Sequence, residues 1–266
     1  MTSSTKVGFV GVGNMGEALL AGLLSAGAPA SSIIFTQRSA ERAATIESRY
    51  GITAVPLEDV AKSDYILLCV KPKDIEEIAS QLAPHINKKA AVISFAAGKR
   101  IEAIESCLGD EIAVIRVMPN TPTFIGKGAA GISFGRYVKS EQADFVRTFL
   151  NASGISVDVD ESLQSAVTGT SGSGPAYFFA FVEAMVDGAK KLGLSEEVAT
   201  ELTIQTIVGA AGMLEATGKS AKQLREEVTS PNGATFAALS VFNERELGEI
   251  VAEAMAASAK RSEELA

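Results

Sequence analysis

The chain has 266 residues, 47% hydrophobic and 21% charged, with a formal net charge of −8. This is the composition of a soluble globular protein of one large or two modest domains. The acidic balance excludes the basic face that nucleic acid or an anionic membrane would need, and a single histidine, His85, excludes a multi-histidine metal centre.

Other global features agree. Cys69 and Cys107 belong to no metal or redox motif and read as buried free thiols of a reducing, cytoplasmic compartment. The start, MTSSTKVGFVG, lacks the long apolar core of a signal peptide. The uncharged runs Ser162–Val182 and Leu202–Leu214 are broken by Gly, Ser and Thr or too short, so neither spans a membrane. His85 follows Pro84 at a predicted helix end, far from any motif, which argues against histidine acid–base chemistry.

The first half alternates strands and helices. Lys6–Val10 is a strand, followed by Gly11-Val12-Gly13-Asn14-Met15-Gly16 and an amphipathic helix, Glu17–Ala26, closed by Gly27. Strand, GxGxxG and helix in this order form a dinucleotide fingerprint: the glycines permit the tight turn, the approach of pyrophosphate and close helix packing. The competing reading is a structural turn. The second strand, Ile33–Thr36, runs into Thr36-Gln37-Arg38-Ser39, with no acid before Glu41 to bind a ribose 2′-hydroxyl. Arg38 instead offers a fork for a 2′-phosphate, helped by the hydroxyls of Thr36 and Ser39, which predicts NADP(H) over NAD(H). Alternatively Arg38 is a solvated charge and Ser39 caps the helix Ala40–Tyr50.

Three apolar runs follow: Tyr65–Val70, Ala90–Phe95 and Ala113–Met118. They read as buried parallel strands, separated by helices at Lys73–Leu82 and Arg100–Leu108. Ligands of doubly wound sheets lie beyond the carboxyl ends of strands. Val70, Lys71 and Pro72, then Ala96, Ala97 and Gly98, and finally Asn120 are therefore candidate cofactor-lining residues, with plain packing, and for Asn120 a turn between prolines, as the alternatives. Strands at Gly126–Phe134 and Ile155–Val159, with the helix Ser140–Ala152 between them, complete a Rossmann-type sheet of about eight strands. The domain boundary falls near Asp160–Gln164. That divides the chain into a dinucleotide-binding domain, 1–160, and an all-helical domain, 161–266.

The helical half is read as Leu163–Leu192, Glu196–Ala216, Ala221–Val228, Ala234–Phe242 and Glu244–Leu265, with Gly193 and Gly218 as stops and Ser195 and Ser220 as N-caps. The run Gly169-Thr170-Ser171-Gly172-Ser173-Gly174-Pro175 should kink the first helix or admit a ligand. Glu196–Ala216 is apolar nearly all round, which predicts packing against a second copy in a homodimer; burial within one chain is the alternative. Lys260–Ala266 reads as a solvated tail.

One stretch of this half, VTSPNGATFAALSVFN (Val228–Asn243), is a candidate substrate loop. Ser-Pro-Asn-Gly forms a turn, and a helix starts at Ala234. Its first N–H groups attract a carboxylate. Ser230 and Thr235 add hydroxyls, and Gly233 allows close approach. An ordinary capped helical corner is the alternative.

Three stretches together, GVGNMG, VTGTSGSGPAYFF and VTSPNGATFAALSVFN, resemble the pyrroline-5-carboxylate reductase family over essentially the whole chain. The resemblance implies NADPH- or NADH-dependent reduction of a cyclic imine carboxylate to L-proline, in a homodimer that can assemble into rings of dimers. It implies that Thr235 hydrogen-bonds the ring nitrogen as the catalytic residue and that the N–H groups of Ala234 and Thr235 hold the carboxylate. It also places Glu161, Ser173 and Gly174 beside substrate or nicotinamide. Asn232 stands where the family commonly has Gly, and Ala234 where Thr is frequent. Asn tolerates a left-handed backbone better than most residues.

The chain also resembles the β-hydroxyacid dehydrogenases in domain order and in the spacing of Gly169, Gly172 and Gly174. Their acid–base lysine, however, is replaced by Phe178, and Lys190 and Lys191 lie at a helix end. A non-catalytic nucleotide sensor is a third reading of the same fold.

Overall fold

The computed structural model describes residues 5–109 and 111–265. Met1–Ser4 of the N-terminal reading and Ala266 of the C-terminal one lie outside the described residues.

Eight strands form one sheet: β1 (Val7–Val10), β2 (Ile33–Thr36), β3 (Thr53–Ala54), β4 (Tyr65–Leu68), β5 (Ala91–Ser94), β6 (Ala113–Met118), β7 (Gly128–Phe134) and β8 (Gly154–Asp158). Their order is β3-β2-β1-β4-β5-β6-β7-β8, and all neighbours are parallel except β6 and β7. Helices α1 (Asn14–Ser25), α2 (Ala40–Tyr50), α3 (Leu57–Val60), α4 (Ile75–Leu82), α5 (Ile101–Leu108) and α6 (Ser140–Asn151) link the strands. The two-residue β3 was not anticipated from the sequence. The chain leaves β1 to pair with β2 on one side and with β4 on the other, so the topological switch point lies between β1 and β4.

Side chains alternate across each strand, and the sheet carries a core on both faces. Val7, Phe9, Leu67 and Ile93 pack on one face with Leu19, Leu23 and Phe149. Val10, Ile66, Leu68 and Val92 pack on the other with Ile75, Leu82 and Ile104. Phe9, Phe35 and Phe149 are completely buried, each contributing roughly 1.5–3 kcal/mol.

The chain divides into two compact units, Met1–Ser173 with Ala256–Ala266, and Gly174–Met255. This division by compactness falls after the glycine-rich run, and the C-terminal segment returns to the first unit. There, a short 3-10 turn (Glu161–Leu163), α7 (Gln164–Val167) and a single π-helical turn (Thr168–Gly172) follow β8. The predicted interruption of a long helix is this π turn, a form of local unwinding common at functional sites.

The second unit contains α8 (Gly174–Lys191), α9 (Glu196–Thr217), α10 (Ala221–Glu227), α11 (Ala234–Glu244) and the start of α12 (Leu247–Glu264). Ser195 and Ser220 cap α9 and α10 through the N–H groups of Val198 and Gln223. Gly218 ends α9 in the left-handed conformation at φ +64. On α9 only Ala199 and Thr203 are buried, while Leu202 is 56% and Val208 58% exposed. Burial within the single chain is therefore not what happens to this helix.

The C-terminal reading needs correction. Lys260–Leu265 is not a solvated tail: α12 runs to Glu264, and Ser262 is buried, its hydroxyl 3.4 Å from that of Thr168. A single small polar residue at this helical position lets the last turn dock. Among the described residues no helix is long and apolar enough to cross a membrane.

Candidate functional site

A cleft of about 560 Å³ opens at the switch point. Of the predicted cofactor residues, Gly11, Gly13, Thr36, Arg38, Val70 and Lys71 line it. Gly11 sits at φ +82, a backbone shape that a side chain would strain, and its N–H donates to the Thr36 carbonyl at 3.0 Å. Gly13 is the extended N-cap of α1 with no side-chain cap, and space is open where a Cβ would stand. The first-turn N–H groups of α1 are thus available to an anion. Gly16 lies under the turn, where a Cβ would come within 2.7 Å of the Gly11 carbonyl oxygen. Asn14 is exposed and Met15 packs against the core, so neither side chain lines the cleft.

At the rim, Arg38 is 75% exposed with its guanidinium 3.6 Å from the Asp74 carboxylate. Ser39 caps α2, accepting from the Arg42 N–H at 3.3 Å, and does not line the cleft. Its capping role is the competing reading named above. Pro72 opens a 3-10 turn (Pro72–Asp74) leading into α4. Cys69 reaches the cleft floor; burial pushes its thiol far above the ordinary range, so the sulfur stays protonated.

Other predicted cofactor positions are placed differently. Ala96 is packed into the core, and Ala97 is half-buried outside the cleft. Gly98, at φ +82, faces the C-terminal segment, where a Cβ would meet the Ser262 and Leu265 backbones at 2.9 Å. The close approach of this chain by itself requires glycine there. Asn120 is a brace: its amide donates to the Ser171 carbonyl at 3.0 Å, and its oxygen accepts the Ala129 N–H at 2.9 Å. It thereby ties the start of β7 to the π turn.

Glu161 also has partners of its own. One carboxylate oxygen accepts the Ile101 N–H at 2.7 Å, at the start of α5, and pairs with Arg116 at 3.2 Å. Arg116 is almost fully buried, and burial lowers its pKa despite the opposing pull of Glu161. A buried guanidinium left without its carboxylate is costly, so this pair fixes Glu161. Glu161 lies in the first compact unit, in the 3-10 turn that follows β8. Ser173 bonds to the Ser258 hydroxyl at 2.8 Å, and its N–H donates to the Thr168 carbonyl at 2.8 Å; Gly174 is buried.

In the second unit the Val228–Asn243 stretch folds as a turn and a helix start. The Gly233 N–H donates to the Ser230 carbonyl at 3.0 Å across Pro231-Asn232. Asn232 stands at φ +59. A proline at the second position excludes positive φ there, so the turn is of type II, which needs positive φ at the third. Asn232 takes that conformation at modest cost. Gly233 is the extended N-cap of α11 without a side-chain cap, which leaves the N–H groups of Ala234 and Thr235 uncommitted. Thr235 is exposed, and its hydroxyl has no hydrogen bond among the described residues.

Sequence reading missed Gln37 and Arg42, whose side chains hold the backbone of Val12. It also missed Arg116 and the C-terminal serines. Among the described residues there is no cluster of three His, Cys, Asp or Glu side chains able to hold a metal.

Residues 161–265 match the family described as pyrroline-5-carboxylate reductase dimerisation, and residues 6–98 match the family described as NADP oxidoreductase, coenzyme F420-dependent. A pyrroline-5-carboxylate reductase of Pseudomonas aeruginosa is 39% identical, covering 99% of this chain and 98% of that protein. One from Corynebacterium melassecola is 40% identical over 98% of both chains. The solved structure of the Coxiella burnetii pyrroline-5-carboxylate reductase superposes with a TM-score of 0.93 at 33% identity, covering 99% of each chain. That of the Plasmodium falciparum pyrroline carboxylate reductase, with NADP bound, superposes at 0.89 and 28% identity, covering 100% of this chain and 99% of that one.

Proposed function

The chain belongs to the pyrroline-5-carboxylate reductase family, and from that premise we propose which of its residues carry the reaction. It is a nicotinamide-dependent oxidoreductase that reduces the cyclic imine 1-pyrroline-5-carboxylate to L-proline. The observation that carries the assignment of roles is the start of α11: an uncapped helix N-terminus, shaped by a type II turn, with a free Thr235 hydroxyl beside it.

The switch-point cleft fits a dinucleotide. It has an open position at Gly13, a left-handed Gly11 and cationic side chains, Arg38 and Lys71, at its rim. When bound there, NADPH supplies the hydride. The N–H groups at the start of α1 hold the pyrophosphate, and Arg38 with Thr36 reads the 2′-phosphate, giving preference over NADH. Val70 lines the cleft beside them, while Gly16, Gly98 and Asn120 act by shaping the first unit.

The substrate carboxylate binds the Ala234 and Thr235 N–H groups, and Ser230 and Gly233 shape the approach. Thr235 hydrogen-bonds the ring nitrogen and fixes its orientation. A protonated imine is already electrophilic, so this reaction needs positioning more than a strong general acid. Phe178, standing where a β-hydroxyacid dehydrogenase has its lysine, cannot relay a proton, and no such relay is required. Glu161 is held in place by Arg116. Ser173 and Gly174 complete the nicotinamide surroundings.

The dimerisation match and the apolar exposed faces of α8 and α9 support self-association as a homodimer; sedimentation distinguishes a dimer from rings of dimers. Initial rates of NADPH and NADH oxidation with pyrroline-5-carboxylate test the reading. Turnover faster with NADPH is expected. Faster turnover with NADH would remove the Arg38 role, and a folded, NADPH-binding protein without turnover would overturn the substrate assignment.

A further inference from the structure

The glycine-rich turn is held by two side chains that have no place in the fingerprint. Val12, between the two glycines, is completely buried, so its peptide groups cannot rely on water. Its N–H donates to the Gln37 Oε1 at 2.9 Å. Its carbonyl accepts from the Arg42 Nε at 3.0 Å. Gln37 lies between Thr36 and Arg38 at the end of β2, and Arg42 lies in the first turn of α2. The guanidinium of Arg42 continues to Glu17 of α1, and Arg49 and Tyr50 at the end of α2 also donate to that carboxylate. Burial opposes the charge on Glu17, but its three donors prevail and hold the carboxyl below the ordinary value. One chain of bonds thus runs from the segment carrying Arg38, through the phosphate turn, to the helix whose N-terminus faces the cleft.

Such a device has a physical purpose. A glycine-rich turn is conformationally costly to order, and any ordering left until binding subtracts from affinity. Resting on the reading of this cleft as the nicotinamide-cofactor site, we propose that Gln37 and Arg42 are positioning residues that preorganise the Gly11–Gly13 turn and couple it to the 2′-phosphate-reading segment. Gln37 lines the cleft and Arg42 does not, so Arg42 carries the distinction: its effect comes through Val12 and Glu17, not through contact with cofactor. Their signature differs from that of Arg38. Arg38 discriminates between NADPH and NADH; the turn is common to both.

The test measures cofactor dissociation constants by fluorescence titration without substrate, alongside KM and kcat, for Arg42→Met, Gln37→Met and Arg38→Ala. Loss of either bond to the buried Val12 peptide is expected to weaken NADPH and NADH alike by about tenfold, with kcat changed less than about twofold. Gln37→Glu keeps an acceptor for the Val12 N–H and restores most of the NADH affinity, whereas its charge, in the cleft that Gln37 lines, opposes the 2′-phosphate of NADPH. Arg42→Lys provides one donor where two directions are needed and gives an intermediate loss. If Arg42→Met or Gln37→Met does not fold, the NADH affinities of Gln37→Glu and Gln37→Asn decide, since the shorter Asn cannot reach Val12. Unchanged affinities in folded variants, or a fall in kcat with affinities intact, would overturn the proposal. Because the titration needs no turnover, a wrong substrate assignment leaves its result readable.

Discussion

The two units treat their hydrophobic residues in opposite ways. In the sheet unit Phe9, Phe35 and Phe149 are sealed, and both faces of the sheet are covered by helices of the same unit. In the helical unit Phe178, Phe179, Leu202 and Val208 stand open on α8 and α9. The first has a core that one chain can complete. The second is a half-core, and its match to a dimerisation family explains its apolar exterior. An apolar pattern states that a surface must leave water; it does not state whose surface covers it.

Substitutions can break that contrast. Val208→Asp should have the largest effect, placing a charge in the self-association face. Sedimentation equilibrium should show monomers at concentrations about a thousandfold above the wild-type dissociation constant, since a buried unpaired charge costs several kcal/mol. A persistent dimer would move the interface away from α9. Phe149→Ala should destabilise the sheet unit by about 3–5 kcal/mol in denaturant unfolding, through a cavity that no partner can fill. Arg38→Ala sharpens the comparison within the first unit: NADPH affinity should fall about tenfold while NADH affinity stays level. An equal loss for both cofactors would show that Arg38 holds the loop instead of reading a phosphate.

The smaller effects concern single conformations and protons. Replacing Asn232 by Gly should leave KM for the imine within about twofold, because Asn already adopts φ +59 at modest cost; a β-branched residue there should impair the turn. The folded Glu17 carboxyl titrates below its ordinary value of 4.5. Its contribution to stability is therefore present above that value and lost as pH falls through the lower folded-state pKa. Glu17→Gln should flatten this acid limb of the stability profile, and an unchanged limb would assign it to another carboxyl.

Much of the fold was written locally. The apolar runs at Tyr65–Val70, Ala90–Phe95 and Ala113–Met118 reveal central strands because both their faces are covered. The turn at Gly11 and the caps at Ser195 and Ser220 are similarly short-range signals. The two residues of β3 carry no periodicity and were invisible. So was every role that depends on a distant partner. Glu161 answers to Arg116, Asn120 to Ser171 and Ala129, and Gly98 to the C-terminal segment. Ser262 offered no signal, since a lone serine in a charged helix end looks solvated until the docking surface is known. Gln37 was adjacent to the residues singled out, but which backbone group its amide reaches is a tertiary fact.

The return of Ala256–Ala266 to the first unit affects how the protein is made. The sheet is fully synthesised long before the Ala256–Ala266 segment leaves the ribosome, and at about 5–20 residues per second the interval lasts many seconds. During that time the surface around Gly98 and Thr168 lacks the turn that covers it. A nascent chain must therefore hold a nearly finished sheet unit until this segment emerges, and loss of the segment would leave that surface bare.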